Sequence, residues 1–288
     1  MSTLARPTPV YVASPRRPTA ADLLRQTVRE VAAHSDLVRQ LARATMRRAG
    51  AHTILGNVWW VLDPLLQMPL YVLLVGVILR SGTPDFPLFL FSAILPWKWF
   101  TSSLSEATSS VATRDQLIKQ VAFPKIALPI SAIVAVVPQF LFGLAPLLLM
   151  MGLFYRHRLS AFILLVPVVA AVQLVLSLAI GILLAICNAF ARDTGRLTGF
   201  VFRIWFILSP ALYSSDRIEH VSGRYPMLGI AFRLNPFTTL FESYRAVIYE
   251  GTFPSFIALV AVLLVSLGLL ATTSIFFKRL EPSLAKIL

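Results

Sequence analysis

The stretch Arg114–Pro129 reads RDQLIKQVAFPKIALP and lies between two long apolar runs. Its apolar residues Leu117, Ile118 and Val121 recur at a spacing that favours one or two turns of amphipathic helix. Pro124 is expected to end this helix, because proline cannot continue one. The sequence therefore predicts a short amphipathic helix on a loop between two membrane spans. Such a helix either rests on lipid headgroups or docks into a soluble partner.

The composition of the 288-residue chain predicts a polytopic membrane protein with one core. Hydrophobic residues make up 57% of the chain and charged residues 14%, whereas a soluble domain carries about 25% charged residues. Several apolar runs exceed the roughly 18 residues that indicate a spanning helix. The net charge of +13 does not indicate nucleic-acid binding, because the basic residues lie in short loops between the spans. The single cysteine, Cys187, lies in an apolar run and is interpreted as a small buried hydrophobe.

The order of apolar runs predicts an all-α integral membrane protein with six transmembrane helices. The spans are expected at about 55–79, 86–111, 126–154, 161–190, 197–213 and 256–277. Residues 1–18 are rich in proline and arginine and are expected to be disordered. Residues 19–49 predict an amphipathic helix in the membrane interface, with a capping box at Thr19 and Asp22, rather than a solvated helix of a soluble appendage. Residues 50–288 then form one transmembrane domain.

Residues 214–252 form the longest stretch between two predicted spans, and they are too apolar for a free loop. The runs 227–234 and 237–248 are too short or too charged to cross a membrane, and Asn235-Pro236 separates them. Irregular backbone is not tolerated against lipid. The sequence therefore predicts two short re-entrant helices, packed within protein, between spans five and six.

The distribution of basic residues predicts that both termini are cytosolic. Of the 26 lysine and arginine residues, 18 lie in the first 56 residues, in the loops 114–125 and 192–203, and in the C-terminal tail. Positively charged loops stay on the cytosolic side of a membrane. The re-entrant pair then opens on the outer side.

Charged and polar residues interrupt the first two spans. Asp63 lies inside the first span, where a carboxylate costs about 2.5–3.5 kcal/mol, so its side chain must face protein or water. The second span becomes polar after its first half and cannot face acyl chains there, so it must line a cavity or a subunit interface. The residues assigned to this lining are Asp63, Trp97, Lys98, Trp99, Phe100, Ser102, Ser105 and Glu106. An ion pair between Asp63 and Lys98 would neutralise both groups; a charge-selective channel is the alternative.

Four motifs, in this order, resemble those of the ABC-2 type exporter permeases. They are Ile54-Leu-Gly56-Asn-Val-Trp59-Trp-Val-Leu-Asp-Pro64, Leu117-Ile118-Lys119-x-Val121-x-Phe123-Pro124-x4-Pro129, Ser209-Pro210-x2-Tyr213 and Asn235-Pro236-x8-Arg245. The sequence is most similar to the permeases of O-antigen and related polysaccharide exporters, with capsule, teichoic acid and galactan exporters as relatives. The resemblance extends from about Leu23 to the C-terminus.

The resemblance implies a multi-pass permease of the bacterial inner membrane. It implies a homodimer that works with two copies of a separate ATPase subunit, which would bind ATP and magnesium. The chain itself is expected to be no enzyme and to hold no cofactor or metal, because it lacks the phosphate-binding motif G-x-x-x-x-G-K-[ST] and its four histidines are scattered. The first cytosolic loop would be the helix that couples the permease to the ATPase. The coupling residues are then Arg114, Leu117, Ile118, Lys119, Val121, Phe123 and Pro124.

The substrate implied by the resemblance is a lipid-linked polysaccharide of the O-antigen type, exported during lipopolysaccharide biosynthesis. The aromatic rings of the second span, Trp97, Trp99 and Phe100, either stack on sugar faces or form a packing cluster at the dimer seam. In a symmetric dimer the re-entrant helices would meet near the axis and close the outer mouth. The residues assigned to this outer gate are Asn235, Pro236, Phe237, Phe241, Glu242 and Arg245.

Other functions are less compatible with the sequence. Within the same family, the substrate could instead be teichoic acid, capsule, galactan, a drug or a lipid. A secondary transporter often shows internal repeats and broken helices in matched positions, and no convincing repeat is present. A membrane-embedded glycosyltransferase would need an acidic site on a sizeable polar loop, and the predicted cytosolic loops are too short.

Overall fold

A computed structural model of the chain describes residues 19–50, 55–78, 83–121, 123–213, 223 and 225–287. In this part of the chain every regular element is helical, and no strand occurs. The disorder expected for residues 1–18 lies outside the described residues, as do residues 79–82 between the first two predicted spans and part of the stretch 214–252.

The N-terminal amphipathic segment forms two helices, α1 (Ala20–Ala33) and α2 (Ser35–Gly50), which are separated at His34. The predicted capping box is confirmed, since the Thr19 hydroxyl accepts from the Asp22 N–H at 3.2 Å and the Asp22 carboxylate accepts from the Thr19 N–H at 3.1 Å. α1 packs against the last helix of the chain, and α2 packs against the predicted third span. Both helices are therefore anchored on protein as well as being amphipathic.

Among the described residues, four helical segments are long and apolar enough to cross a membrane: Trp59–Ile78, Ala127–Phe154, Ala161–Phe190 and Phe256–Leu284. They correspond to the predicted first, third, fourth and sixth spans. The helices they contain are α3 (Trp59–Tyr71, continued by a π-helix, Val72–Ile78), α6 (Ala127–Phe154), α7 (Val166–Phe190) and α11 (Phe256–Ile287). Short 3-10 turns, Gly56–Val58 and Ala161–Leu165, precede α3 and α7, and a third, Arg156–Arg158, follows α6.

The predicted second and fifth spans are helices that differ from a simple span. α4 (Phe86–Ser110) has 25 residues, but its second half is polar. α8 (Asp193–Ile207) has 15 residues, fewer than the roughly 20 that cross a bilayer as a straight helix, and it ends six residues before the expected boundary at 213. The count of six spans therefore stays a prediction. α5 (Asp115–Gln120) is the predicted short helix between α4 and α6, and it ends before Pro124 is reached.

α4 lies at the centre of the molecule. Its first half, from Phe86 to Pro96, is almost entirely buried, and α3, α6, α7 and α8 pack around it. The three helices α4, α6 and α7 approach closely at Gly181, where a Cβ atom would lie 2.7 Å from Ile133 Cδ1 and 3.0 Å from Ala107 Cβ. The polar second half of α4 is thus held in place by a tightly packed helical core.

Two short helices, α9 (Pro226–Leu234) and α10 (Pro236–Arg245), occur where a re-entrant pair was predicted, and a π-helix (Ala246–Glu250) extends α10. The corner between α9 and α10 lies at Asn235, whose side-chain oxygen accepts from the N–H of Phe237 at 3.0 Å and from Trp205 Nε1 at 2.9 Å. The Asn235 amide donates to the Leu208 carbonyl and to Ser209 Oγ. The predicted corner at Asn235-Pro236 is therefore confirmed, and it is bound to the end of α8.

Candidate functional site

The polar residues of α4 line a cavity between α2, α3, α4 and α6, which we call the α2–α4 cavity. Its volume is about 330 Å³, and its lining residues are Thr45, Met46, Trp60, Lys98, Thr101, Ser102, Ser105, Glu106, Ala135, Val136 and Gln139. A smaller cavity of about 190 Å³ shares Thr45 and Glu106 with it and reaches Arg114. A continuous set of polar side chains therefore runs along α4 from Lys98 to the start of α5.

The predicted pairing of Asp63 with Lys98 is confirmed. Lys98 Nζ lies 3.2 Å from Asp63 Oδ2, and the two side chains are 28% and 39% exposed, respectively. Because each charge has a partner of the opposite sign, α3 and α4 carry no net charge at this level. The pair ties the first predicted span to the polar half of the second.

Lys98 also borders a larger cavity of about 610 Å³ between α3, α4 and α8, which we call the α4–α8 cavity. Its other lining residues are Gln67, Tyr71, Leu74, Ile94, Trp97, Thr101, Gly199, Phe202, Arg203, Phe206, Ile207 and Leu212. The wall of the α4–α8 cavity contains both aromatic rings and hydrogen-bonding groups. That combination suits a substrate with apolar faces and many hydroxyl groups.

Two of the aromatic residues assigned to the channel lining belong instead to the core. Trp99 is 2% exposed and stacks on Phe140 with ring centroids 4.6 Å apart. Phe100 is completely buried, and its ring centroid lies 4.5 Å from that of Phe237. Only Trp97 is left partly exposed, at the edge of this aromatic cluster. Since successive helical residues point in different directions, a lining face that contains Lys98, Ser102 and Ser105 excludes Trp99 and Phe100.

Some side chains of the predicted coupling segment pack against the rest of the chain, and others are exposed. Ile118 is buried, and Leu117 and Phe123 pack against the same apolar cluster, which also contains residues of α7 and α11. Val121 is 51% exposed, and Lys119 is exposed as well. Ile118 is thus removed from the predicted docking surface, because its side chain is buried in the core of this chain. Leu117 and Phe123 are only partly buried, so their assignment stays a prediction.

Arg114, at the start of α5, binds back onto the N-terminal helices. Its Nη2 donates to Thr45 Oγ1 at 2.6 Å, and its Nη1 has no partner among the described residues. Burial, together with the positive charge of Arg48, lowers the pKa of the Arg114 guanidinium. Arg114 therefore joins α2 to the coupling segment and is held at the end of the polar path along α4.

A polar junction that was not anticipated from the sequence joins α1, α11 and Lys125, which lies between α5 and α6. Lys278 Nζ lies 2.6 Å from Glu30 Oε2 and 2.9 Å from Glu281 Oε2. The other oxygen of Glu281 accepts from the backbone N–H of Lys125 at 2.7 Å. The contact of Lys278 with Glu30 spans 248 positions and that of Glu281 with Lys125 spans 156, so no local sequence pattern indicates either contact.

Replacing Glu281 with glutamine is expected to loosen this junction. The Lys278 ammonium would lose one charged partner, and a poorly satisfied buried charge costs about 1–3 kcal/mol. We expect a lower midpoint of thermal unfolding and faster trypsin cleavage after Lys119 or Lys125 in the purified protein. The control is Asp193→Asn, which alters an 85% exposed carboxylate 4.0 Å from Arg196. Equal stability and equal cleavage rates for Glu281→Gln and the control would contradict the role of the junction.

The residues assigned to the outer gate are mostly structural. The rings of Phe237 and Phe241 are completely buried in the main apolar core. Arg245 is 3% exposed and donates from Nη2 to the Ala211 carbonyl at 2.7 Å. A cysteine at either phenylalanine would therefore lie in the core instead of at a channel mouth. The gate stays a prediction, and these two rings are removed from it.

A second polar cluster fastens the loop before α4 to the loop after α6. Asp85 Oδ2 lies 2.9 Å from both His157 Nε2 and Arg158 Nε, and the hydrogen bonds from His157 and Arg158 hold the pKa of Asp85 below its ordinary value. Tyr249, at the end of the π-helix after α10, donates to the Pro84 carbonyl at 2.7 Å. Arg158 also lies 4.5 Å from the centre of the Tyr249 ring. The predicted outer loops are thus joined to one another by charged and aromatic contacts.

Comparison with known proteins identifies relatives along most of the chain. Residues 36–249 match the family described as ABC-2 type transporter. The O-antigen export system permease protein RfbA of Myxococcus xanthus is 36% identical over 255 residues, which cover 88% of this chain and 96% of the relative. Two proteins of the same name from Klebsiella pneumoniae are each 24% identical and cover 75% of this chain, with 82% and 81% of their own lengths matched.

Proposed function

The chain belongs to the ABC-2 type transporter family, and from that membership we propose that it is the permease subunit of an ATP-driven polysaccharide exporter. Membrane proteins of this family work with an ATPase partner. The observation that carries the proposal is the 36% identity to an O-antigen export system permease over 96% of that protein's length. The proposed substrate is a lipid-linked polysaccharide of the O-antigen type, moved across the bacterial inner membrane.

The cavities along α4 support a path for such a substrate. Lys98, Ser102, Ser105 and Glu106 line the α2–α4 cavity and offer hydrogen-bond donors and acceptors. The neighbouring α4–α8 cavity adds the Trp97 ring, against which an apolar sugar face can stack. In the proposed homodimer, these surfaces of two chains face one another across the channel.

The proposed orientation places α5 and both termini in the cytosol, with two copies of the ATPase seated against the exposed side of α5. The excess of basic residues on that side supports it. The corner between α9 and α10 then lies on the outer side. Exposed apolar residues of α9, Met227, Ile230 and Leu234, recur at helical spacing and are the surface through which two copies would close the outer mouth.

Deletion of the gene in its native bacterium is the direct test. We expect surface polysaccharide to disappear while lipid-linked polymer accumulates on the cytosolic side of the inner membrane, because synthesis continues without export. Silver staining of cell-surface glycans and fractionation of the membranes measure both quantities. Complementation with the intact gene is the control. Undiminished surface polysaccharide in the deletion strain would contradict the proposed function.

A further inference from the structure

A fourth cavity lies at the end of α11 opposite Lys278, between α10, its π-helical extension and the start of α11. We call it the α10–α11 pocket. Its volume is about 440 Å³, and it is open to Glu242, Arg245, Glu250 and Phe253. Neither the substrate path along α4 nor the coupling segment includes it. The pocket is more polar than expected for a space beside a spanning helix.

The observation that points to a ligand is the unsatisfied guanidinium of Arg245. The side chain is 3% exposed, its Cζ lies 3.6 Å from the centre of the Phe89 ring, and its two terminal nitrogens face the carbonyls of Ala211 and Tyr213. Its Nε has no hydrogen-bond partner among the described residues. A buried donor without a partner is costly, so an acceptor that reached this nitrogen through the pocket that Arg245 lines would stabilise the arrangement.

The other groups of the pocket define the class of that ligand. Glu242 and Glu250 are exposed carboxylates, and the hydroxyls of Thr239 and Ser243 lie on the same wall. A phosphate or carboxylate ligand would lie beside the two negative charges of Glu242 and Glu250, so an anion is disfavoured. A metal ion would lie beside the positive Arg245, and no group of three or more metal-binding side chains occurs among the described residues.

A neutral sugar suits the chemistry of this wall. Its hydroxyl pairs can donate to the carboxylates, and a hydroxyl oxygen can accept from Arg245 Nε. The Phe253 ring is 61% exposed at the rim, where it can stack on the apolar face of a pyranose. We propose that the α10–α11 pocket binds a short run of neutral sugar units of the exported polysaccharide. This assignment rests on the proposed function, because the exported chain is the source of the sugar.

The location of the pocket indicates a role for sugar binding in export. Tyr249, in the π-helix after α10, donates to the Pro84 carbonyl and lies against Arg158. These contacts place the pocket beside the polar cluster of Asp85 and Arg158. In the proposed orientation this is the outer side. Sugar units that have crossed the membrane would be held there weakly, which disfavours their return through the channel.

Saturation-transfer NMR on the full-length protein in phosphatidylcholine nanodiscs tests the pocket directly. The probes are the methyl glycosides of mannose, galactose, rhamnose and N-acetylglucosamine. We expect at least one probe to receive saturation from the wild-type protein. Glu250→Gln, which removes a charge-assisted hydrogen bond, is expected to weaken binding about tenfold. Phe253→Ala, which removes the stacking face, is expected to weaken it roughly five- to tenfold.

Both altered side chains are exposed, so these variants should fold, and Asp193→Asn is the matched control for loss of an exposed charge. Wild-type protein that binds none of the probes would overturn the proposal, as would unchanged binding by both variants. Binding that is abolished when phosphatidylethanolamine replaces phosphatidylcholine would assign the pocket to a lipid headgroup instead. The deletion strain distinguishes failure of the pocket proposal from failure of the proposed exporter function. Loss of surface polysaccharide in that strain, combined with absent probe binding, would leave the exporter standing and reject only the pocket.

Discussion

Replacing Val121 with aspartate is expected to stop polysaccharide export while the permease stays folded. Val121 follows the last residue of α5 and is 51% exposed, whereas Ile118 on the preceding turn is buried in the permease. An exposed apolar residue on this loop is the kind of contact that a partner protein covers. A carboxylate buried there would cost about 3 kcal/mol or more, which corresponds to a loss of about a hundredfold in docking.

Three measurements on cells that carry Val121→Asp check this expectation. Surface polysaccharide should fall, co-purification of the ATPase subunit should weaken, and the yield of the permease should be unchanged. Ala191→Asp is the matched control, because it places the same charge at an exposed position in the turn between α7 and α8. Ile118→Asp should behave differently and reduce the yield itself. Normal export by the Val121 variant would show that the ATPase docks elsewhere.

Removing only one charge of the Asp63–Lys98 ion pair is expected to impair transport more than removing both charges. Asp63→Asn or Lys98→Met leaves the other group, which is only partly exposed, without its counter-ion. Loss of one partner of a fully buried pair costs about 3–5 kcal/mol, and partial exposure reduces this to roughly 1–2 kcal/mol here. We therefore expect roughly tenfold lower transport for each single variant and a smaller loss for the double variant.

A double-mutant cycle on the export rate measures this coupling. The matched control is the exposed pair of Asp193 and Arg196, which are 85% and 90% exposed and 4.0 Å apart. The corresponding variants Asp193→Asn and Arg196→Met should show no coupling, because solvent screens the pair. Additive losses at Asp63 and Lys98 would show that the two groups do not interact in the working transporter.

Several features followed from the sequence because they depend on neighbouring residues. The capping box at Thr19 and Asp22 follows from side chains that bind nearby backbone, and the corner at Asn235-Pro236 follows from a capping asparagine and proline geometry. The membrane class followed from the length of the apolar runs. The ion pair of Asp63 with Lys98 could be predicted because a charge inside an apolar span requires a partner.

Tertiary structure alone decided which face of each helix is functional. Trp99 and Phe100 are aromatic like Trp97, yet they are buried in the core, because α4 is surrounded by other helices on that side. Phe237 and Phe241 were assigned to a gate from their position in the sequence and pack in the core for the same reason.

The contacts that join distant parts of the chain were likewise beyond sequence reasoning. Lys278 meets Glu30 across 248 positions, and the Glu281 carboxylate binds the backbone of Lys125 across 156. The sequence by itself determined that the chain forms apolar helices, where several of them begin and bend, and that their internal charges must be paired. The tertiary structure decided which side chains face a cavity, because that depends on which helices lie next to one another and not on the order of residues within one helix.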